Sequence, residues 1–259
     1  MENKLTIVKV GGFIFEDEYK LDSFLSSFSK ISGNKILVHG GGKIASDFSK
    51  KLGIVPIMLE GRRVTDKETL DVVVMTYAGL LNKKLVSKLQ KLSCNAIGLS
   101  GADANLIQAK KRNIENVNYG YVGDITRVEK NILQKMISSD LCPVICSLTH
   151  DGNGQILNTN ADTIAAELSV ALAVLYDVSL KYCSEMPGVL EKLGNYDSLI
   201  KTINSTSYKK LKQKNIISYG MIPKLENCFH ALKNGVDKVF VGSIDISVSY
   251  THLTLPTKA

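Results

Sequence analysis

Ile36-Leu-Val-His-Gly-Gly-Gly-Lys43 is an apolar run that empties through three successive glycines. The apolar residues read as a short buried strand. The mixed polar and apolar run that follows, Lys43 to Leu52, reads as an amphipathic helix. A strand that passes through glycines into a helix N-terminus builds an anion site. Without Cβ atoms the backbone can approach a ligand closely, and the first-turn N–H groups of the helix have no partner within it. Gly40, Gly41 and Gly42 are therefore read as the seat of something negatively charged.

Working outward, Leu5 to Val10 reads as a strand ending at a second glycine break, Gly11-Gly12. Leu21, Phe24, Leu25 and Phe28 stand at helical spacing. Residues 54–59 look extended, and 60–66 form a loop that caps the next helix. That helix, 67–81, is apolar almost all round, which fits a subunit interface or deep burial. A helix over 82–92 and a strand over 96–99 follow, then the turn Ser100-Gly-Ala-Asp103. Residues 107–128 alternate in the manner of hairpins. Next come a helix (130–138), a strand (142–147), and Leu157-Asn-Thr-Asn-Ala-Asp162 opening a helix to about residue 173. Strands near 172–176 and 179–183, helices over 208–214 and 224–234 and a strand over 236–241 complete the pattern. Alternating strands and helices imply a mainly parallel central sheet covered on both faces. The strand-dense stretch 172–178 marks a change of lobe, dividing 1–172 from 173–246. Residues 247–259 match nothing upstream and are set aside as an atypical tail.

The chain has 259 residues, 44% hydrophobic and 22% charged, ordinary for a globular protein with a substantial core. Its net charge of +7 comes from scattered lysines and arginines, without a basic stripe and interleaved aromatics. That argues against nucleic acid as a partner and suits an anionic substrate. None of the five cysteines forms a Cys-x-x-Cys pair, so buried free thiols in a cytoplasmic protein are expected. With no signal peptide and no apolar run near the ~18 residues of a membrane span, no membrane partner is expected.

Three chemistries compete for the glycines. Gly40-x-Gly42-x-x-Ala45, with Glu60 beyond it, formally fits a dinucleotide fingerprint, which is weak alone. His-Gly-Gly-Gly also resembles an esterase oxyanion loop, but the Gly-x-Ser-x-Gly elbow that chemistry needs is missing, as is a Walker A loop. The third is phosphoryl transfer, with two glycine turns facing each other across adjacent parallel strands. Such a reaction asks for positioning and positive charge rather than covalent chemistry. Lys9 stands before Gly11-Gly12, Lys224 opens a helix after Gly220-Met-Ile-Pro223, and Asp162 lies in a polar capping run with Asn160. Taken singly, most of these residues read as surface charges or N-caps. Lys9 does not, because it interrupts an apolar strand at the carboxyl end where α/β ligands bind.

Lys9-Val-Gly-Gly12, His39-Gly-Gly-Gly42, Gly61-Arg-Arg-Val-Thr65, Leu157-Asn-Thr-Asn-Ala-Asp162 and Gly220-Met-Ile-Pro-Lys224, in that order, resemble the N-acetylglutamate kinases of the amino acid kinase family over residues 4–245. The resemblance implies an open three-layer αβα sandwich with an N-terminal substrate lobe and a C-terminal nucleotide lobe. It implies phosphorylation of the γ-carboxylate of N-acetyl-L-glutamate by ATP, in the second step of arginine synthesis, with Mg2+ held mainly by the ATP phosphates. By position, Lys9 and Lys224 would stabilise the transferring phosphoryl group and Asp162 would hold both lysines. Gly11, Gly12, Gly40, Gly41 and Gly42 would offer N–H groups to phosphoryl oxygens and substrate. Arg63, Asn158 and Asn160 would take the rest of the glutamate. The resemblance also implies a homodimer, paired through helix 67–81 and lacking arginine feedback. Arg62 departs from the usual apolar residue, which raises N-succinylglutamate as an alternative substrate. Other kinases of the family and a silent binding module are the remaining alternatives.

Overall fold

The computed structural model describes residues 3–59, 62–115, 117–192, 194–217, 221–243 and 250–255. At its centre lies β1 (Lys4–Val10), whose alternate side chains enter different cores. Leu5 and Ile7 face one side, Val8 and Val10 the other, and all four are buried. β2 (Asn34–His39) repeats the division, with Ile36 and Val38 on the first side and Leu37 on the second. Burial on both faces is why these strands read as continuous apolar runs.

The helices supply the covers. On the second side, α1 (Glu18–Ser29) brings Leu21, Phe24, Leu25 and Phe28, while Asp17 caps its first turn by accepting from the Tyr19 and Lys20 N–H groups. α2 (Gly42–Lys51) follows β2 through the three glycines. The hairpin of β3 (Ile57–Leu59) and β4 (Arg62–Val64) comes next, so the loop expected after residue 60 is partly a strand that returns along β3. Then α3 (Lys67–Val74), a π-helical turn (Met75–Leu81) and α4 (Asn82–Lys91) run on as one helix where two were expected. This helix is not apolar all round in effect. Leu70, Val73, Tyr77 and Leu81 are buried, whereas Met75 and Leu80 face outward.

β5 (Ala96–Leu99) precedes the hairpin of β6 (Ile107–Lys111) and β7 (Gly123–Val128), as the alternation predicts. After α5 (Lys130–Ser138) come β8 (Cys142–Cys146), β9 (Leu148–His150) and β10 (Ile156–Asn158). α6 (Ala161–Leu172) buries Ile164, Ala165, Leu168 and Leu172 at helical spacing. That spacing holds Leu172 in the helix. The strand expected over 172–176 is therefore a turn, and β11 spans Asp177–Cys183. β12 (Thr202–Asn204), α7 (Ser205–Gln213), α8 (Met221–Lys233), β13 (Lys238–Gly242) and β14 (Tyr250–Thr254) follow.

The main sheet has eight strands in the order β12-β14-β13-β11-β1-β2-β8-β5. All its pairs are parallel except β13 with β14. The tail is thus corrected in part. Tyr250–Thr254 lies inside the sheet, between β12 and β13, and buried Thr251 donates to the Ile200 carbonyl and accepts from the Val189 N–H. A second sheet, β10-β9-β6-β7, carries the excursion from the main one. All five cysteines are buried and free, as expected. Among the described residues no helix is long and apolar enough to cross a membrane.

Candidate active site

The two glycine turns leave neighbouring strands at the same level, because Val10 pairs with His39. They lie side by side: a Cβ added to Gly12 would be 3.4 Å from the Gly41 Cα and 3.5 Å from the Gly42 nitrogen, in van der Waals contact with both. Gly41 packs against the long helix so closely that a Cβ would stand 2.4 Å from Leu81 Cδ1. Gly11 leads into a short 3-10 turn (Gly12–Glu16), and Gly41 sits at the N-cap of α2. Among the described residues, neither the Gly41 nor the Gly42 N–H donates to a protein acceptor.

Lys9 lies on the Ile7 side of β1, facing α6, and is nearly fully buried. Its Nζ meets Asp162 Oδ1 at 2.7 Å. From the other side Lys224, in the first turn of α8, donates to Asp162 Oδ2 at 2.8 Å. One carboxylate thus clasps two ammonium groups from distant parts of the chain, leaving the trio with a net positive charge. Burial alone would raise the Asp162 carboxyl. The two ammonium groups outweigh it and hold the carboxyl far below the usual carboxylate range. Burial pushes the Lys9 ammonium down, partly offset by Asp162. Tyr182, next to Lys9 on β11, supports the trio by donating from its hydroxyl to the Asp162 backbone carbonyl at 2.9 Å. Its ring lies 5.0 Å from the Lys224 Nζ. Gly220 of the Lys224 motif lies outside the described residues.

Beside the trio is a cavity of about 210 Å³ lined by Lys9, Gly12, Gly40 to Gly42, Met58, Arg62, Arg63, Tyr77, Val122, Ser147 and residues 158–161. The structure therefore gathers every candidate substrate and catalytic residue around one hollow except Gly11, one residue back, and Asp162 and Lys224, which join through Lys9. Arg63 donates from Nη2 to the Gly42 carbonyl (2.6 Å) and the Ser46 hydroxyl (2.7 Å). Its Nη1 is buried with no hydrogen-bond partner among the described residues. A buried, unspent guanidinium N–H is a costly feature unless an anion completes it. Asn158 donates from Nδ2 to Thr65 Oγ1 at 3.0 Å, and Thr65 donates to the Arg63 carbonyl, so the two residues share a support. Asn160 lines the cavity, but its Oδ1 accepts from the Asp162 and Thr163 N–H groups as the N-cap of α6. Its side-chain oxygen is engaged in that cap.

Sequence reasoning missed Tyr77 and Tyr182. Tyr77 belongs to the π-helical turn, lines the cavity and is buried against Arg63 and the Gly41–Gly42 backbone. π-helical turns often mark functional positions, but nothing in a sequence announces them. Across the fold a second hollow of about 270 Å³ is lined mainly by Met186, Val189, Leu190, Ile216, Ile217 and Met221. Met221 opens α8, one turn before Lys224.

Residues 4–243 match the Amino acid kinase family, nearly the whole chain. The chain belongs to the amino acid kinase family. Among members of this family it is 52% identical to the acetylglutamate kinase of Cytophaga hutchinsonii over 239 residues, 92% of this chain and 90% of that one. It is 48% identical to the acetylglutamate kinase of Bacteroides fragilis over 241 residues, 93% of this chain and 92% of that one. A Streptococcus mutans protein of known crystal structure superposes with a TM-score of 0.81 at 26% identity, covering 98% of this chain and 99% of that one. The αβα sandwich expected from the resemblance is thus the family's fold.

Proposed function

We propose that the protein transfers the γ-phosphoryl group of ATP to the side-chain carboxylate of N-acetyl-L-glutamate, giving an acyl phosphate in the second step of arginine biosynthesis. The observation that carries this reading is the Lys9–Asp162–Lys224 clasp beside two adjacent glycine turns. Relatives that share half of the sequence and are acetylglutamate kinases support it, and they favour acetyl over succinyl as the acyl group.

The chemistry follows from charge. A carboxylate and a triphosphate repel each other, and the acceptor carboxylate is already ionised at neutral pH, so no general base is needed. Lys9 and Lys224 neutralise the charge on the oxygens of the transferring group. The N–H groups of Gly12, Gly41 and Gly42 add fixed donors, and Gly11 and Gly40 set the turns that aim them. Asp162 keeps two like charges at one place, with Lys9 on one carboxylate oxygen and Lys224 on the other. Arg63 Nη1 takes the α-carboxylate, and Asn158 takes the acylamino end.

Mg2+ would be held mainly by the ATP phosphates. The apolar hollow beside α8 suits a flat heteroaromatic base, with residues 173–246 as the nucleotide lobe and 1–172 as the substrate lobe. Outward-facing Met75 and Leu80 favour a homodimer through the long helix. Buried free thiols accord with the cytoplasm. Hydroxylamine trapping of the acyl phosphate, with N-acetyl- and N-succinyl-L-glutamate side by side, tests the reading. Higher kcat/KM on the acetyl compound is expected, and no hydroxamate with either would end it.

A further inference from the structure

His39 closes β2 immediately before the three glycines, is fully buried, and has no part in the chemistry above. Its Nδ1 lies 2.9 Å from the Gly40 carbonyl oxygen, and its Nε2 lies 3.1 Å from Asn82 Nδ2. Asn82 is itself buried at the start of α4, directly after the π-helical turn that holds Tyr77 and Leu81. Gly98 makes room for it, since a Cβ there would stand 2.0 Å from Asn82 Oδ1.

Counting protons fixes the tautomer. Asn82 Nδ2 donates to the Val144 carbonyl at 2.9 Å, while Asn82 Oδ1 accepts from Lys83 Nζ at 3.2 Å. The amide is therefore oriented, and its second N–H points at His39 Nε2. Nε2 must accept, so the ring proton sits on Nδ1 and donates to the Gly40 carbonyl. A second proton on the ring would set two donors against each other. Burial works in the same direction, pushing the imidazole down to about 4.

Every described peptide bond is trans, so the Gly40 carbonyl and the Gly41 N–H point in opposite directions across one rigid plane. Holding the carbonyl against His39 turns the Gly41 N–H away from the ring. That N–H meets no protein acceptor among the described residues, and Gly41 lines the cavity. Ser147 Oγ secures the next carbonyl back, donating to the His39 oxygen at 3.3 Å.

We propose that His39 is a positioning residue for phosphoryl transfer: oriented by Asn82, it locks the Gly40–Gly41 peptide so that the Gly41 N–H is aimed at the reacting oxygens. This rests on the kinase reading for its effect on rate, but not for the tautomer, and the test separates the two. In protein carrying 15N-labelled histidine, long-range proton–nitrogen correlation spectra report each ring's tautomer. The His39 signal, identified by its loss in His39→Asn, is expected as the Nδ1–H form, unchanged between pH 8 and pH 5.5. A Nε2–H form, or titration near pH 6.5, would overturn the proposal whether or not the protein is a kinase.

For the rate, His39→Leu is expected to lower kcat roughly tenfold to a hundredfold, less than the roughly 10²–10³ for removing an aimed donor outright because the Gly41 N–H is loosened and not lost, with a much smaller change in KM. His39→Asn places an amide N–H where Nδ1–H stood and is expected to recover most of the loss. Circular dichroism and Tm establish that both variants are folded. A folded His39→Leu protein with wild-type kcat, or a folded His39→Asn protein as slow as His39→Leu, would contradict the role. A wild-type protein that forms no acyl phosphate would instead sink the kinase reading.

Discussion

A carboxylate held between two ammonium groups has a thermodynamic signature as well as a chemical one. The folded-state value of Asp162 lies below its ordinary value of about 3.9, so between the two the unfolded chain binds more protons. Stability from the clasp is therefore complete above about pH 5 and is lost as the pH falls through 4 and below. Asp162→Asn should start with a lower Tm at pH 7, because it leaves Lys9 buried without its counter-ion. It should also lose less Tm than the wild type between pH 5 and pH 3, and parallel curves would argue against the clasp. Lys9 was legible in the sequence because an ammonium inside an apolar strand needs a reason. Asp162 was legible only with its neighbours, since a polar run that opens a helix, with Asn160 at the N-cap, reads first as capping. His39, Tyr77 and Tyr182 were not, because a ring on an apolar face reads as core whether or not its polar atom is employed.

Between elements, the site depends on close backbone approaches that only glycine allows. Gly120 sits at φ +71°, and a Cβ there would stand 2.1 Å from the Thr65 carbonyl oxygen. Thr65 in turn supports both Arg63 and Asn158. Gly120→Ala is expected to destabilise the protein by about 2 kcal/mol or more, read by chemical denaturation, from the left-handed backbone and the collision together. A change within about 0.5 kcal/mol would mean that this crossing is looser than it looks. The strand–glycine–helix unit at residues 36–51 was readable because its physics is local: apolar burial, then no Cβ, then helical spacing. The return of Arg62–Val64 along β3 was not, since three residues carry no periodicity. The run through 172–176 misled for the opposite reason, because its apolar residues suit a strand as well as the end of a helix, and packing of Leu172 against the sheet decided for the helix.

At the scale of the molecule, β1 and β11 pair directly, and one core joins Leu5 and Ile7 to Leu180 and Val239, so both halves of the proposed cleft rest on a common sheet. Alternating strands and helices made that sheet predictable, whereas its strand order is set by long-range pairing that local pattern cannot carry. The place of Tyr250–Thr254 between β12 and β13 is of that kind. Met75 and Leu80 leave apolar surface on the long helix, and light scattering should give the mass of a dimer, with Leu80→Lys shifting it toward monomer while the circular dichroism spectrum is kept. A wild-type monomer at micromolar concentration would refute that pairing. In the proposed reaction two lysines, held by one carboxylate, carry a phosphoryl group from ATP to a carboxylate. Its most direct test is hydroxamate formation by wild-type protein and by Lys224→Ala with MgATP and N-acetyl-L-glutamate. Turnover is expected from the wild type, with a loss of roughly 10²–10³-fold or more in a folded Lys224→Ala protein. Near wild-type turnover in that folded variant would contradict it.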